Sequence, residues 1–195
     1  MPRVRYADPG YVVDPTADPG TQVNQALQGI LAHRPDAAAA LAAFAMALAT
    51  SSTLGPRLTE LIRLRIAFHN QCRTCMSIRY ASAYDGTFDE DLVCSLEKPQ
   101  ESDDLSPAER SALAFADRFA NDHLSIDDAV YDGLREHFDE HQIVALGYVC
   151  AMSVGFGRLA ATWDVVESLP ADYLEQSGTY TPWGAEPTIV GRRRT

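Results

Sequence analysis

A chain of 195 residues, 46% of them hydrophobic, is long enough for one well-packed domain and too short for two large ones. Its 16 lysines and arginines stand against 27 aspartates and glutamates, and the net charge of −11 argues against nucleic acid or an anionic membrane as a partner. Arg192, Arg193 and Arg194 are the one basic cluster and read as a solvated tail.

The N-terminal stretch to Pro19 carries Asp8, Asp14 and Asp18 with several prolines and lacks the apolar run of a secretory signal, so a cytoplasmic protein is expected. Ala37 to Ala49, the longest apolar run, is too short to span a bilayer and reads as a core helix. Four cysteines are too few for a disulfide-built scaffold. In a reducing compartment, that turns attention to the chemistry of the closely spaced Cys72 and Cys75.

Helix signals recur along the chain and alternating β-branched runs are nearly absent, so the expected fold is all-α with seven or eight helices. Gln22 to Ala32 and Pro35 to Ala49 read as the first two helices. Pro56 opens a third, running to about Phe68, with apolar spacing from Leu58, Leu61, Ile62 and Ile66. The chain then reverses near Asn70, and a helix containing the cysteines is expected to continue to about Tyr84. Thr87 with Glu90 and Ser125 with Asp128 suggest further helix starts. Ser106, Pro107 and Glu109 make a full capping box for a helix to Asn121, and Asp139 with Gln142 makes another. Ile143 to Ala161 is apolar on nearly every face and is expected to be central or buried between subunits. From Pro170 the sequence turns to Gly, Pro and Thr with isolated aromatics, which suggests an arm lying on something rather than a domain; in an oligomer a neighbour could receive it. The organisation read from this is an extension at 1–20, one helical domain at 21–169 and an arm at 170–195.

Cys72-Arg73-Thr74-Cys75 is the constellation with clear chemical content, because two intervening residues on a helical path bring the sulfurs within bridging reach. With Asn70 as N-cap, Cys72 falls in the first helical turn, where free backbone N–H groups favour a thiolate. Counting out from the turn puts Glu60 and Arg79 at nearly equal depth in antiparallel neighbours. Arg79, four residues beyond Cys75, then shares its helical face, so Glu60, Arg79 and Cys75 form one polar site. Two bland readings compete, in which Glu60 and Arg79 are an ordinary ion pair and the cysteines are small buried hydrophobes. A metal site from His69, Cys72 and Cys75 is a third reading and needs a fourth ligand. Cys94 and Cys150 stand alone and read as core or half-exposed thiols.

Glu60, Asn70, Cys72 and Cys75 together resemble the signature of the alkylhydroperoxidase D-like superfamily, which includes carboxymuconolactone decarboxylase. The similarity covers Leu54 to Asp85 strongly and Leu105 to Asp164 more loosely. It implies a homo-oligomer, often a trimer or hexamer, and a thiol peroxidase cycle without a cofactor. In that cycle Cys75 attacks a hydroperoxide, Cys72 resolves the sulfenic acid, and a thiol or dithiol reductant meets Cys72. The chain departs from the peroxidase pattern at Arg79, where a histidine is usual. An arginine stabilises a thiolate but passes no proton, which leaves Glu60, His69 and Tyr80 as proton-transfer candidates in that order. The alternatives are a decarboxylase-like lyase independent of the cysteine pair, and a non-catalytic helical oligomerisation protein.

Overall fold

The computed structural model describes residues 2–17, 19–50, 53–80, 83, 88–165, 179–180 and 189–191, with only the backbone course at several helix and strand ends. The fold is all-α. Eight α-helices are present among the described residues: α1 (Pro19–Leu31), α2 (Pro35–Thr50), α3 (Pro56–His69), α4 (Arg73–Ser77), α5 (Glu90–Ser95), α6 (Pro107–Asn121), α7 (Asp128–Arg135) and α8 (Glu140–Trp163). Three short strands, β1 (Ile78–Tyr80), β2 (Thr179–Tyr180) and β3 (Ile189–Gly191), pair antiparallel in the order β1-β3-β2. The described pieces of the C-terminal arm therefore lie on the chain's own β1, with Arg79 opposite Val190. The rest of the arm lies outside the described residues.

Helix boundaries follow local chemistry where the cap is unambiguous. Ser106 accepts from Glu109 N–H at 3.2 Å while Glu109 returns a bond to Ser106 N–H at 2.8 Å, and Asp139 with Gln142 repeats the arrangement. Two expected caps move. Asp89, not Thr87, accepts from Leu92 N–H, and Asp127, not Ser125, accepts from Val130 N–H. In both cases an aspartate two residues further on supplies the stronger acceptor.

Helix α3 is the centre of the described core, and Ile143–Ala161, expected to be central or buried between subunits, packs against one side of it. Leu58, Ile62 and Ile66 face Ala112, Phe115 and Ala116 of α6 and Ile143, Leu146 and Val149 of α8. Its other side, Leu61 and Leu64, packs with Phe88, Leu92, Leu96 and Leu113. Each fully buried Leu or Ile contributes roughly 1.5–3 kcal/mol, so this two-sided helix anchors the whole core. Helix α8 is long and apolar enough to cross a membrane, yet it turns one face into that core and leaves Val144, Tyr148, Phe156 and Leu159 exposed. The N-terminal segment is laid over α1, where Ala7 N–H donates to Gly29 O at 2.9 Å and Tyr6 and Tyr11 meet edge to face.

Candidate active site

A helix buried on two sides carries polar side chains only if they are paired, and α3 carries Glu60, Arg63, Arg65 and His69. The site grows from how this helix ends. Asn70 donates its N–H to Ile66 O, and Gln71 follows with φ 51°, in the left-handed region. Gln71 N–H bonds Phe68 O at 3.1 Å and Cys72 N–H bonds Ala67 O at 3.2 Å, the paired bonds of a Schellman closure. Gln71 occupies the place usually held by glycine, and its Nε2 donates to Phe68 O at 2.6 Å. The chain thus reverses within one residue and delivers Cys72 to the head of α4.

This geometry corrects the role of Asn70, which caps the end of α3 rather than the start of the next helix. Cys72 takes the N-cap place itself. Its carbonyl accepts from Met76 N–H at 2.9 Å and its sulfur accepts from Cys75 N–H at 3.2 Å. The Asn70 side chain instead ties the turn to α8, donating Nδ2 to Ser153 O at 2.9 Å and accepting from Arg158 Nε at 3.2 Å.

Cys72 and Cys75 are joined by a disulfide, with their Cα atoms 5.2 Å apart. Cys72 is fully buried, whereas Cys75 is partly exposed. The accessibility is the reverse of the expectation that Cys72, nearer the helix end, meets the reductant. Helix position put Cys72 outward in the sequence reading; the tight Schellman turn folds it under the end of α3.

Glu60 is 1% exposed, and its described partner is Arg63, one helical turn along α3. Arg63 Nε donates to Glu60 Oε2 at 2.6 Å and an Arg63 terminal nitrogen to Oε1 at 2.7 Å, a two-pronged pair. The other terminal nitrogen donates to the Cys75 carbonyl at 2.8 Å. Glu60 and the dithiol are therefore brought together, through a residue the sequence reading did not name. The signal was the i,i+3 spacing of Glu60 and Arg63 on one helix.

Arg79 does not stand one helical turn beyond Cys75, because α4 ends at Ser77 and Arg79 lies in extended strand β1. The helix expected to run to Tyr84 is thus five residues long. The Arg79 side chain, and with it the expected Glu60 contact, lies outside the described residues. His69 turns toward α6, where Nε2 meets Asp117 Oδ1 at 2.7 Å. Arg65 grips both oxygens of the same carboxylate at 2.6 and 3.0 Å. Asn121 Nδ2 donates to Asp117 O at 2.9 Å and faces His69 Nδ1 at 3.1 Å. Since a carbonyl only accepts, it fixes the amide's orientation, so His69 Nδ1 accepts and Nε2 carries the proton toward Asp117. Among the described residues no group of three or more His, Cys, Asp or Glu side chains converges to hold a metal, so His69, Cys72 and Cys75 form no such cluster. Cys94 is exposed; Cys150 is buried, and burial pushes its thiol far above the usual range.

Residues 35–118 match the model of the Carboxymuconolactone decarboxylase family. An uncharacterized protein of Mycobacterium tuberculosis is 34% identical over 119 residues, 60% of this chain and 41% of that protein. The match thus spans about two-fifths of that relative's length. The fold is shared with an uncharacterized peroxidase-related protein of Ralstonia eutropha JMP134 with an alkylhydroperoxidase AhpD core. There the TM-score is 0.61 at 23% identity, over 76% of this chain and 78% of that one. It is shared also with an uncharacterized peroxidase-related protein of Silicibacter sp. TM1040, with a TM-score of 0.65 at 20% identity over 88% and 95%. Residues 35–118, the segment that holds Glu60 and the Cys72–Cys75 pair, are thus similar to the Carboxymuconolactone decarboxylase family, and the chain shares the fold of the AhpD-core structures.

Proposed function

We propose that the protein is a thiol-dependent peroxidase in which Cys75 and Cys72 alternate between dithiol and disulfide. The observation that carries this reading is the bridged pair, with Cys72 buried, Cys75 partly exposed, and the Cys75 carbonyl held by the Arg63 that pairs with Glu60. The Cys75 thiolate attacks the distal oxygen of a hydroperoxide ROOH, the O–O bond breaks, and the alkoxide leaves and takes a proton to become ROH. That proton is the one the Cys75 thiol gave up, relayed through water or by the Glu60 carboxylate. The Cys72 thiol then displaces hydroxide from the Cys75 sulfenic acid, forming the disulfide and releasing water. Two reductant thiols restore the dithiol and leave as their own disulfide, so one hydroperoxide is consumed per two thiols oxidised. Burial of Cys72 directs the incoming thiol to Cys75.

The working protein in this reading is a cytoplasmic homo-oligomer, a trimer or hexamer. The exposed apolar face of α8 supports self-association, since Val144 and Tyr148 are each 53% exposed and Phe44 of α2 stacks edge-on against Tyr148. Turnover of cumene hydroperoxide with dithiothreitol tests the activity. The expected result is catalysis well above the uncatalysed rate that Cys75→Ser abolishes; hydroperoxide loss equal in wild type and Cys75→Ser contradicts it.

The family match at residues 35–118 favours a second reading, a decarboxylase-like lyase. It predicts decarboxylation of a carboxylated lactone that survives replacement of both Cys72 and Cys75 by serine.

A further inference from the structure

We propose that Arg63 is a positioning residue for the dithiol, tying Glu60 to Cys75 so that Cys75 feels the balance of two opposite charges rather than the carboxylate alone. The inference rests on the dithiol being the reactive group and adds a residue to it.

Three observations carry it. The guanidinium uses two prongs on Glu60 and a third donor on the Cys75 carbonyl, so one planar group fixes the carboxylate and the second cysteine in one frame. Both charges are withdrawn from water, Glu60 at 1% and Arg63 at 12% side-chain exposure, where Coulomb interactions are poorly screened. The third observation is topological: α4 is only five residues long, and its Cys75 carbonyl is reached from α3, twelve residues earlier in the chain. The hydrogen bond therefore locks the cysteine-bearing turn against the helix that carries the acid.

Several other charged groups near the turn have described partners elsewhere. Arg73 on α4 is exposed. Arg158 on α8 donates to Asn70 Oδ1 and Ala120 O. Arg65, His69 and Asp117 are engaged with one another toward α6. The Arg79 side chain on β1 lies outside the described residues.

A charge balance has a signature that a merely structural ion pair lacks, because removing either partner moves a neighbouring thiolate in opposite directions. In the reduced protein, loss of Arg63 leaves Glu60 negative beside Cys75 and disfavours the thiolate. Loss of the Glu60 charge leaves Arg63 positive and favours it.

The test is the pH profile of Cys75 alkylation by iodoacetamide in fully reduced full-length protein, read peptide by peptide by mass spectrometry so that Cys72, Cys94 and Cys150 are scored apart. Arg63→Gln is expected to slow Cys75 alkylation at pH 7 by roughly tenfold, the equivalent of one pH unit, and Glu60→Gln to shift the profile the opposite way. The double variant falls between them. Arg63→Lys keeps the charge but not the fork that reaches both Glu60 and Cys75, and its profile falls between those of Arg63→Gln and wild type. Coincident profiles for wild type, Arg63→Gln and Glu60→Gln, or shifts in the same direction, overturn the proposal. If Arg63→Gln does not fold, Glu60→Gln and Arg63→Lys still decide it: an unshifted or upward-shifted Glu60→Gln profile, or an Arg63→Lys profile shifted downward from wild type, overturns it. Alkylation uses no hydroperoxide, so opposite shifts without peroxide-driven bridging leave this inference standing while the peroxidase reading falls.

Discussion

Asn70 fills the space that a side chain at position 157 would need: a Cβ built on Gly157 of α8 runs into Asn70 Nδ2. That amide is already committed to Ser153 O and its oxygen to Arg158, so it has little room to yield. Gly157→Ala is therefore expected to lose about 1–3 kcal/mol in urea unfolding. Gly133→Ala in α7, whose Cβ meets nothing within 4 Å, is expected to gain up to about 1 kcal/mol from helix propensity. Equal effects at the two positions contradict the close approach.

Gln71 holds a left-handed conformation at φ 51° that costs an L side chain roughly 1 kcal/mol. Gln71→Gly is expected to raise stability by about 0.5–1 kcal/mol, less what the lost Nε2 bond to Phe68 O contributed. Gln71→Val, β-branched at the same position, is expected to lower it. Thermal unfolding of the pair reads both signs.

His69 separates a structural from a proton-transfer role. With its proton directed at Asp117 and its other nitrogen accepting from Asn121, it fastens the end of α3 to α6. His69→Gln is expected to lower stability by about 1 kcal/mol, one hydrogen bond's worth, and to change the rate of hydroperoxide-driven bridging less than about twofold. Asp117→Asn, which also strips Arg65 of its counter-charge, is expected to cost more, about 2–3 kcal/mol. A large loss of bridging rate in a stable His69→Gln protein would return this histidine to the proton path.

Glu109 gives a pH dependence with a definite sign. Burial raises its carboxyl, but the Ser106 bonds and the Arg57 guanidinium outweigh burial and hold it below the usual range. A group lowered in the folded state contributes stability above its unfolded value, near ~4.3, and loses it as pH falls through the folded value. Glu109→Gln is thus expected to be about 1 kcal/mol less stable than wild type at pH 7, with the difference closing below about pH 4. Urea midpoints at pH 7, 4 and 3 measure it.

Much of the fold was legible because its signals are local. The boxes Ser106–Glu109 and Asp139–Gln142 span four residues, and Pro35, Pro56 and Pro107 each mark the first residue of a helix. The Cys72–Cys75 pair and Glu60 stood out by residue type and spacing. What was missed is of two kinds. Asn70 suits both ends of a helix, and the residue that decides between them, Gln71, seldom adopts a positive φ, so nothing in the letters announced the turn. Once the next helix was taken to continue to Tyr84, counting placed Arg79 beside Glu60 and passed over Arg63, three residues away. The Arg65–Asp117 pair joins residues 52 apart and has no local signature at all.

Self-association through α8 is tested by Tyr148→Glu, which puts a charge at the centre of the exposed apolar stripe. Sedimentation velocity is expected to show an oligomer for wild type and a smaller species for the variant, with helical content unchanged. A wild-type monomer contradicts the assembly.

In the proposed cycle, hydroperoxide drives the Cys72–Cys75 bridge. The measurement is stopped-flow oxidation of fully reduced protein by stoichiometric cumene hydroperoxide, with the bridge located by peptide mapping. Disulfide formation between Cys72 and Cys75 is expected to be orders of magnitude faster than hydroperoxide oxidation of a free thiol. Bridging no faster than for a free thiol, or oxidation that accumulates at Cys94 instead, would contradict it.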